Sequence, residues 1–135
     1  MLNPNIEIKK WFYTHLTSIT GLEVYDGIAP DGAGSEYIVL DGRSSSQEQG
    51  KTGYTNSVTM TVDIITKSPN FGYKRAETIS DLILANINSD TTITLSNGFY
   101  CSSLFVQSVR NIDGLNPIDN VFRTLIIYNL TITQN

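Results

Sequence analysis

Apolar and polar residues alternate with period two from Ser57 to Thr66. Val58, Met60, Val62 and Ile64 fall on one side and Thr59, Thr61 and Asp63 on the other. That is the pattern of a half-buried β-strand. After Lys67-Ser68-Pro69-Asn70-Phe71-Gly72 the period changes. Ala76, Ile79, Ile83 and Ile87 recur at helical spacing, with Lys74, Arg75, Glu77, Ser80 and Asp81 between them. Tyr54 to Asn88 therefore predicts one long strand, a short break and one amphipathic helix, a pair able to carry a small core.

The same reading extends over the rest of the chain. Asn3 suits an N-cap and Pro4 the first helical position, where a missing N–H costs nothing. Ile8, Phe12, Leu16 and Ile19 then mark one helical face, with Trp11 and His15 beside it, and Thr20-Gly21 ends the run. Covering its own sheet is the first expectation for this helix; docking on a partner is the other. Leu22 to Tyr25 reads as a short strand closed by Asp26-Gly27, and residues 28–35 as a loop dense in turn formers. Tyr37 to Leu40 is a strand of four consecutive apolar residues, expected to be buried on both faces and to end at Asp41-Gly42. Arg43 to Gly53 has no apolar residue and two glycines, and reads as a solvated loop longer than the usual hairpin connection. Asn97-Gly98 between Thr92–Ser96 and Phe99–Cys101 signals a hairpin with a type I′ turn, its second strand running on to Arg110. Asn111 to Pro117 is a loop. Val121 to Thr133 is a long closing strand with Phe122, Ile126, Tyr128, Leu130 and Ile132 on one face and Leu125, Ile127 and Thr131 on the other. Two apolar faces mean either a central place in the sheet or cover by a neighbouring subunit. The expected fold is α+β: a single domain, 1–135, with a mainly antiparallel sheet and two helices packed on one face.

Composition narrows the function more than it defines it. Only 16% of the residues are charged, so Ser, Thr and Asn make up a polar surface that resists subunit contact less than a charge-rich one. Base composition of the source genome would produce the same bias. A net charge of −4 with scattered Lys and Arg argues against a sequence-independent nucleic-acid binder. Cys101 is the single cysteine, which excludes an intramolecular disulfide and reads as a small buried apolar residue. No signal-peptide pattern and no apolar run of transmembrane length is present. Asn129-Leu130-Thr131 matches a glycosylation acceptor but lies within a predicted strand.

No chemistry is visible. His15 is the only histidine, so any Ser-His-Asp or Cys-His arrangement depends on it. Asp26, Asp31, Glu36 and Asp41 fall at turns or strand ends, without the spacing of a calcium loop. Asp31-Gly32-Ala33-Gly34 lacks the Gly-Lys-Ser/Thr and the following helix of a phosphate loop. No catalytic residue, metal ligand or cofactor site is expected, and the chain is not expected to be an enzyme.

Two stretches resemble the tail-terminator-like (tail completion) proteins of tailed bacteriophages, the minor tail proteins of head–tail joining. Val24-Tyr25-Asp26, Pro30 and Tyr37-Ile38-Val39-Leu40 are similar to that family's opening: a helix, a short strand with a Tyr-Asp turn, a Pro loop and an apolar strand. Ser57 to Thr66 followed by Tyr73-Lys74-Arg75-Ala76-Glu77-Thr78-Ile79-Ser80-Asp81-Leu82-Ile83 is similar to its long strand and basic-Ala-Glu helix. Hairpin, Asp-Gly loop and long last strand also follow the family's order, so the resemblance spans about Ile6 to Thr133, by pattern more than by identity.

The resemblance implies a virion structural protein that forms a ring, usually of six subunits, on the head-proximal end of the tail tube. There it ends tube polymerisation and joins the tail to the head connector. The implied partners are further copies of itself, the tail tube protein and the connector or adaptor proteins. DNA is met only in passage through the ring, and no membrane is involved. The implied location is the tail and neck of the virion, with the host cytoplasm during assembly. Ser44 to Gly53 becomes the extended hairpin loop, with Ser45, Gln47, Glu48, Gln49, Lys51 and Tyr54 as partner contacts. Two alternatives stand beside this reading: another adaptor or ring protein of the head–tail neck, and a monomeric domain binding a small ligand between helices and sheet.

Overall fold

The computed structural model describes residues 4–50, 53–67, 73–96, 98–112 and 121–134. In chain order the elements are helix α1 (Pro4–Thr20), strands β1 (Glu23–Asp26), β2 (Glu36–Gly50) and β3 (Gly53–Lys67), helix α2 (Lys74–Asn86), and strands β4 (Phe99–Ile112) and β5 (Val121–Gln134). The five strands form one sheet in the order β1-β2-β3-β5-β4. β1 runs parallel to β2, and every other pairing is antiparallel. The architecture is α+β, as expected.

The period-two pattern decides which face of the sheet is covered. Val58, Met60, Val62 and Ile64 of β3 and Ile126, Tyr128, Leu130 and Ile132 of β5 are all buried. They share one face because paired residues project to the same side, as Val62↔Ile126 and Met60↔Tyr128 do. Ile8, Phe12 and Leu16 of α1 and Ile79 and Ile83 of α2 complete this core. Full burial of each such side chain stabilises the fold by about 1.5–3 kcal/mol. β5 lies between β3 and β4, so its two apolar faces go with an interior place in the sheet.

The helix ends explain themselves locally. The expected Asn3 cap lies outside the described residues. Glu7 places an acid in the first turn of α1, where the helix dipole favours it. Gly21, at φ 71°, closes the helix by donating its N–H to the Thr17 carbonyl at 2.9 Å, a conformation suited to glycine. α2 stops at Asn86, one residue before the periodic Ile87. Ile87 is extended, yet its N–H still reaches the Ile83 carbonyl and its side chain stays buried. The Asn88 amide donates to Leu84 O at 3.0 Å, and the Thr91 hydroxyl donates to Asn86 O at 3.1 Å. These bonds satisfy carbonyls that a longer helix would have used.

Several expectations need correction. Asp41-Gly42 does not end a strand: β2 continues to Gly50, so Asp41 is mid-strand and the predicted loop Arg43–Gly53 is largely ladder. Backbone hydrogen bonding does not depend on apolar side chains, so a polar stretch beside a well-paired strand can extend the sheet. Tyr37 and Val39 are only half-buried, since no helix covers their face, while Ile38 and Leu40 are in the core. Thr92–Ser96 does not form a hairpin strand and keeps a single bridge, Thr94↔Tyr100. It folds toward α1 instead: Ile93 is buried, and the Ser96 hydroxyl donates to the Glu7 carboxylate. Gly98 does have the positive φ, 79°, that the turn signal requires; Asn97 lies outside the described residues. Asn111 and Ile112 belong to β4 rather than to a loop.

Candidate interaction surface

The residues expected to meet partners lie at the far end of the β2–β3 hairpin. After Ser44↔Val58 the register shifts, and pairing resumes as Ser46↔Ser57, Gln47↔Asn56, Glu48↔Thr55, Gln49↔Tyr54 and Gly50↔Gly53. Ser45 is thus the extra residue of a bulge, a feature that bends a strand and increases its twist. Gln47, Glu48 and Gln49 are β2 positions and Tyr54 is a β3 position, and Lys51 lies outside the described residues. The hairpin is not a lone arm. Tyr54 also pairs with Gln134, which pairs with Phe99, so four strands reach the same level.

The sheet face away from the helices is the second surface. Its upper part is hydroxyl- and amide-rich. Thr59 Oγ1 donates to Asn129 Oδ1 at 3.1 Å, Asn129 Nδ2 donates to Gln107 Oε1 at 2.7 Å, and Ser103 Oγ donates to Thr131 Oγ1 at 3.0 Å. Asn129, in the glycosylation-like triplet, is therefore held inside the sheet network. Lower down, Arg123 grips Asp63 with two hydrogen bonds, Nε to Oδ1 at 3.3 Å and Nη2 to Oδ2 at 2.5 Å. Hydrogen bonding to Asp63 raises the Arg123 pKa further above its ordinary value, partial burial opposes this, and the charges of Asp63 and Tyr37 support it. Ile65 and Leu125 are buried around this pair. Lys67 lies over the Tyr37 ring at 5.6 Å, and Tyr37 meets Tyr25 edge-on at 5.8 Å. Sequence periodicity placed Asp63 on this face, but the partner sixty residues away carried no local signal.

His15 is exposed, stacks on Trp11 with centroids 3.9 Å apart, and places Nδ1 2.8 Å from the Trp11 carbonyl. A groove of about 410 Å³ runs between α1 and residues 94–96, lined by Glu7, Trp11, His15 and Ser96 among others. This is the place a small ligand between helix and sheet would take, and its Glu7 carboxylate is bonded by Ser96 and lies 3.6 Å from Lys10. Asp26 ends β1 in an ion pair with Lys9 at 2.9 Å, Glu36 opens β2 in a pair with Arg75, and Asp31 lies in a turn. Cys101 is half-buried rather than buried. Desolvation pushes its thiol pKa up, and hydrogen bonding from the Ser103 backbone partly opposes this. Among the described residues no group of three His, Cys, Asp or Glu could hold a metal ion, and no helix is long and apolar enough to cross a membrane.

No family model matches the chain, and the search of curated proteins found no match. Solved structures do match in fold. The chain aligns with one from the virion of a native gene transfer agent particle at a TM-score of 0.62 and 19% identity, over 87% of this chain and 84% of that one. A second solved structure aligns at a TM-score of 0.60 and 13% identity, over 96% of this chain and 92% of the other. At these identities the likeness establishes a shared fold.

Proposed function

We propose that this protein is a virion structural protein of a tailed-phage-like particle and forms a ring at the head-proximal end of the tail tube. In that position it ends tube polymerisation and presents the surface to which the head connector attaches. The carrying observation is the fold shared, over most of both chains, with a chain of a gene transfer agent virion. The resemblance to tail terminators supports the finer assignment, and the low charge density suits contacts between like subunits. The role is mechanical, without bond chemistry. The hairpin end, through Ser45, Gln47, Glu48, Gln49, Lys51 and Tyr54, is the part that meets the tube or lines the ring.

The same virion likeness fits another ring protein of the head–tail neck, and one experiment separates the two. Purified protein is mixed with polymerising tail tubes and viewed by negative-stain electron microscopy. A terminator gives rings capping one tube end and tubes of arrested length. Rings that leave the tubes uncapped and growing support a neck adaptor instead. A monomer at high concentration, with no rings alone or with tubes, overturns both.

A further inference from the structure

The large exposed apolar side chains of the described residues gather at two opposite edges of the molecule, apart from Leu82. At the β1 edge stand Ile28, 82% exposed, with Ile6 and Tyr13 on the outer flank of α1; at the β4 edge stand Tyr100, Phe105 and Val109. Ile28 is a braced knob. Its N–H bonds to the Asp26 carbonyl at 2.9 Å, and that of Gly27 to the Leu40 carbonyl at 2.8 Å, so the turn is tied to both β1 and β2. The opposite edge carries a groove of about 270 Å³ between α2 and β4, lined by Glu77, Asp81, Leu84, Val109 and Arg110 among others.

One cross-strand row links the two edges, from Asp26, two residues before Ile28, to Val109 at the groove. Asp26 pairs with Leu40, Leu40 with Val62, Val62 with Ile126 and Ile126 with Val109. Moving a second copy sideways along that row brings its β1 edge, with the knob just beyond Asp26, beside the groove of the first. Both edges carry both signs of charge: Lys10 and Asp31 on the knob side, Asp81 and Arg110 at the groove, all four exposed. β4 has bulges between Cys101 and Ser103 and between Val106 and Ser108, irregularities that keep edge strands from pairing. Contact at this edge is therefore made by side chains and not by lengthening the ladder.

We propose that subunits join head to tail, Ile28 of one seating in the α2–β4 groove of the next, with Lys10 facing Asp81 and Asp31 facing Arg110. Two different patches meet, so the contact is heterologous and closes into a ring when the rotation per subunit divides a full turn. This proposal rests on the ring reading and names the surface that the ring uses.

Disulfide trapping tests it in the full chain carrying Cys101→Ser, which removes the native thiol of β4, with Ile28→Cys and Val109→Cys made singly and together and oxidised under assembly conditions. The double variant gives a cross-linked ladder ending at the closed ring, and each single variant behaves as the unmodified protein. Separately, Ile28→Asp raises the concentration at half-assembly by about tenfold or more, because a buried aliphatic contact is lost while nothing in the isolated fold depends on it. Dimers from Ile28→Cys alone mean that like edges meet, which overturns the head-to-tail contact. No cross-link from the double variant, although the unmodified protein forms rings, overturns this interface and leaves the ring reading standing. An unmodified protein that stays monomeric even with tail tubes overturns both.

Discussion

Asp63 is a carboxylate in the middle of the central strand, with its side chain 13% exposed and Arg123 as its bidentate partner. A charge held that far from water depends on its counter-ion, because desolvation is offset only while both hydrogen bonds persist. Arg123→Ala should therefore lower stability by about 2 kcal/mol in urea unfolding, and Asp63→Leu with Arg123→Leu should cost less than Arg123→Ala alone. If the double replacement costs as much as or more than the single one, loss of packing rather than a stranded charge explains the effect. Tyr128 makes a second case at this scale. Its ring is in the core against Phe12, its hydroxyl donates to the Ile87 carbonyl at 2.8 Å, and burial pushes its phenol pKa well up. Tyr128→Phe leaves a carbonyl at the end of α2 without that bond and should cost about 1 kcal/mol, a few degrees of Tm. An unchanged melting curve would show that water replaces the hydroxyl there.

The β2–β3 hairpin shows why the extent of an element is harder to read than its type. Its apolar half, Ile38 to Leu40 against Val62 to Ile64, announces itself through side-chain burial. Its polar half continues the same backbone ladder, and no apolar alternation from Arg43 to Gly53 signals that. Tyr54 to Ser57 retain their pairing with β5, and the core residue Val58 is kept. Deleting Ser45 to Lys51 should then lower Tm by no more than about 5 °C while abolishing capture of tail tubes in a pelleting assay. A deletion variant that melts far lower would make the hairpin end part of the stabilising framework. One that still captures tubes would move the contact surface elsewhere.

At the scale of the whole molecule, helices cover one face of the sheet and leave two unlike edges. α1 lies over β1 and β2, and α2 over β3 and β5, which places the braced Ile28 at one side and the α2–β4 groove at the other. Unlike edges on one row are what a closed ring of identical subunits needs, whereas a two-fold dimer needs a patch that matches itself. The trapping experiment belongs at this scale, because its outcome depends on symmetry more than on any one residue. Fold likeness at 19% identity, without any match to a family model or a curated sequence, has a physical reason of the same kind. The layers require apolar alternation and a filled volume, and many side-chain sets satisfy both.

The chain by itself determined the kinds of element and their buried faces. A period of two along Val58–Ile64 and Ile126–Ile132, and a helical period along Ile8–Leu16 and Ala76–Ile83, permit only one side to be withdrawn from water. Tertiary structure alone decided the strand order, the parallel docking of β1, the diversion of Thr92–Ser96 onto α1, and the continuation of the hairpin ladder through polar residues. It also decided the Asp63–Arg123 pair and the row from Asp26 to Val109. These depend on backbone bonding that is indifferent to side-chain polarity, or on contacts between residues far apart in the chain, and local periodicity records neither.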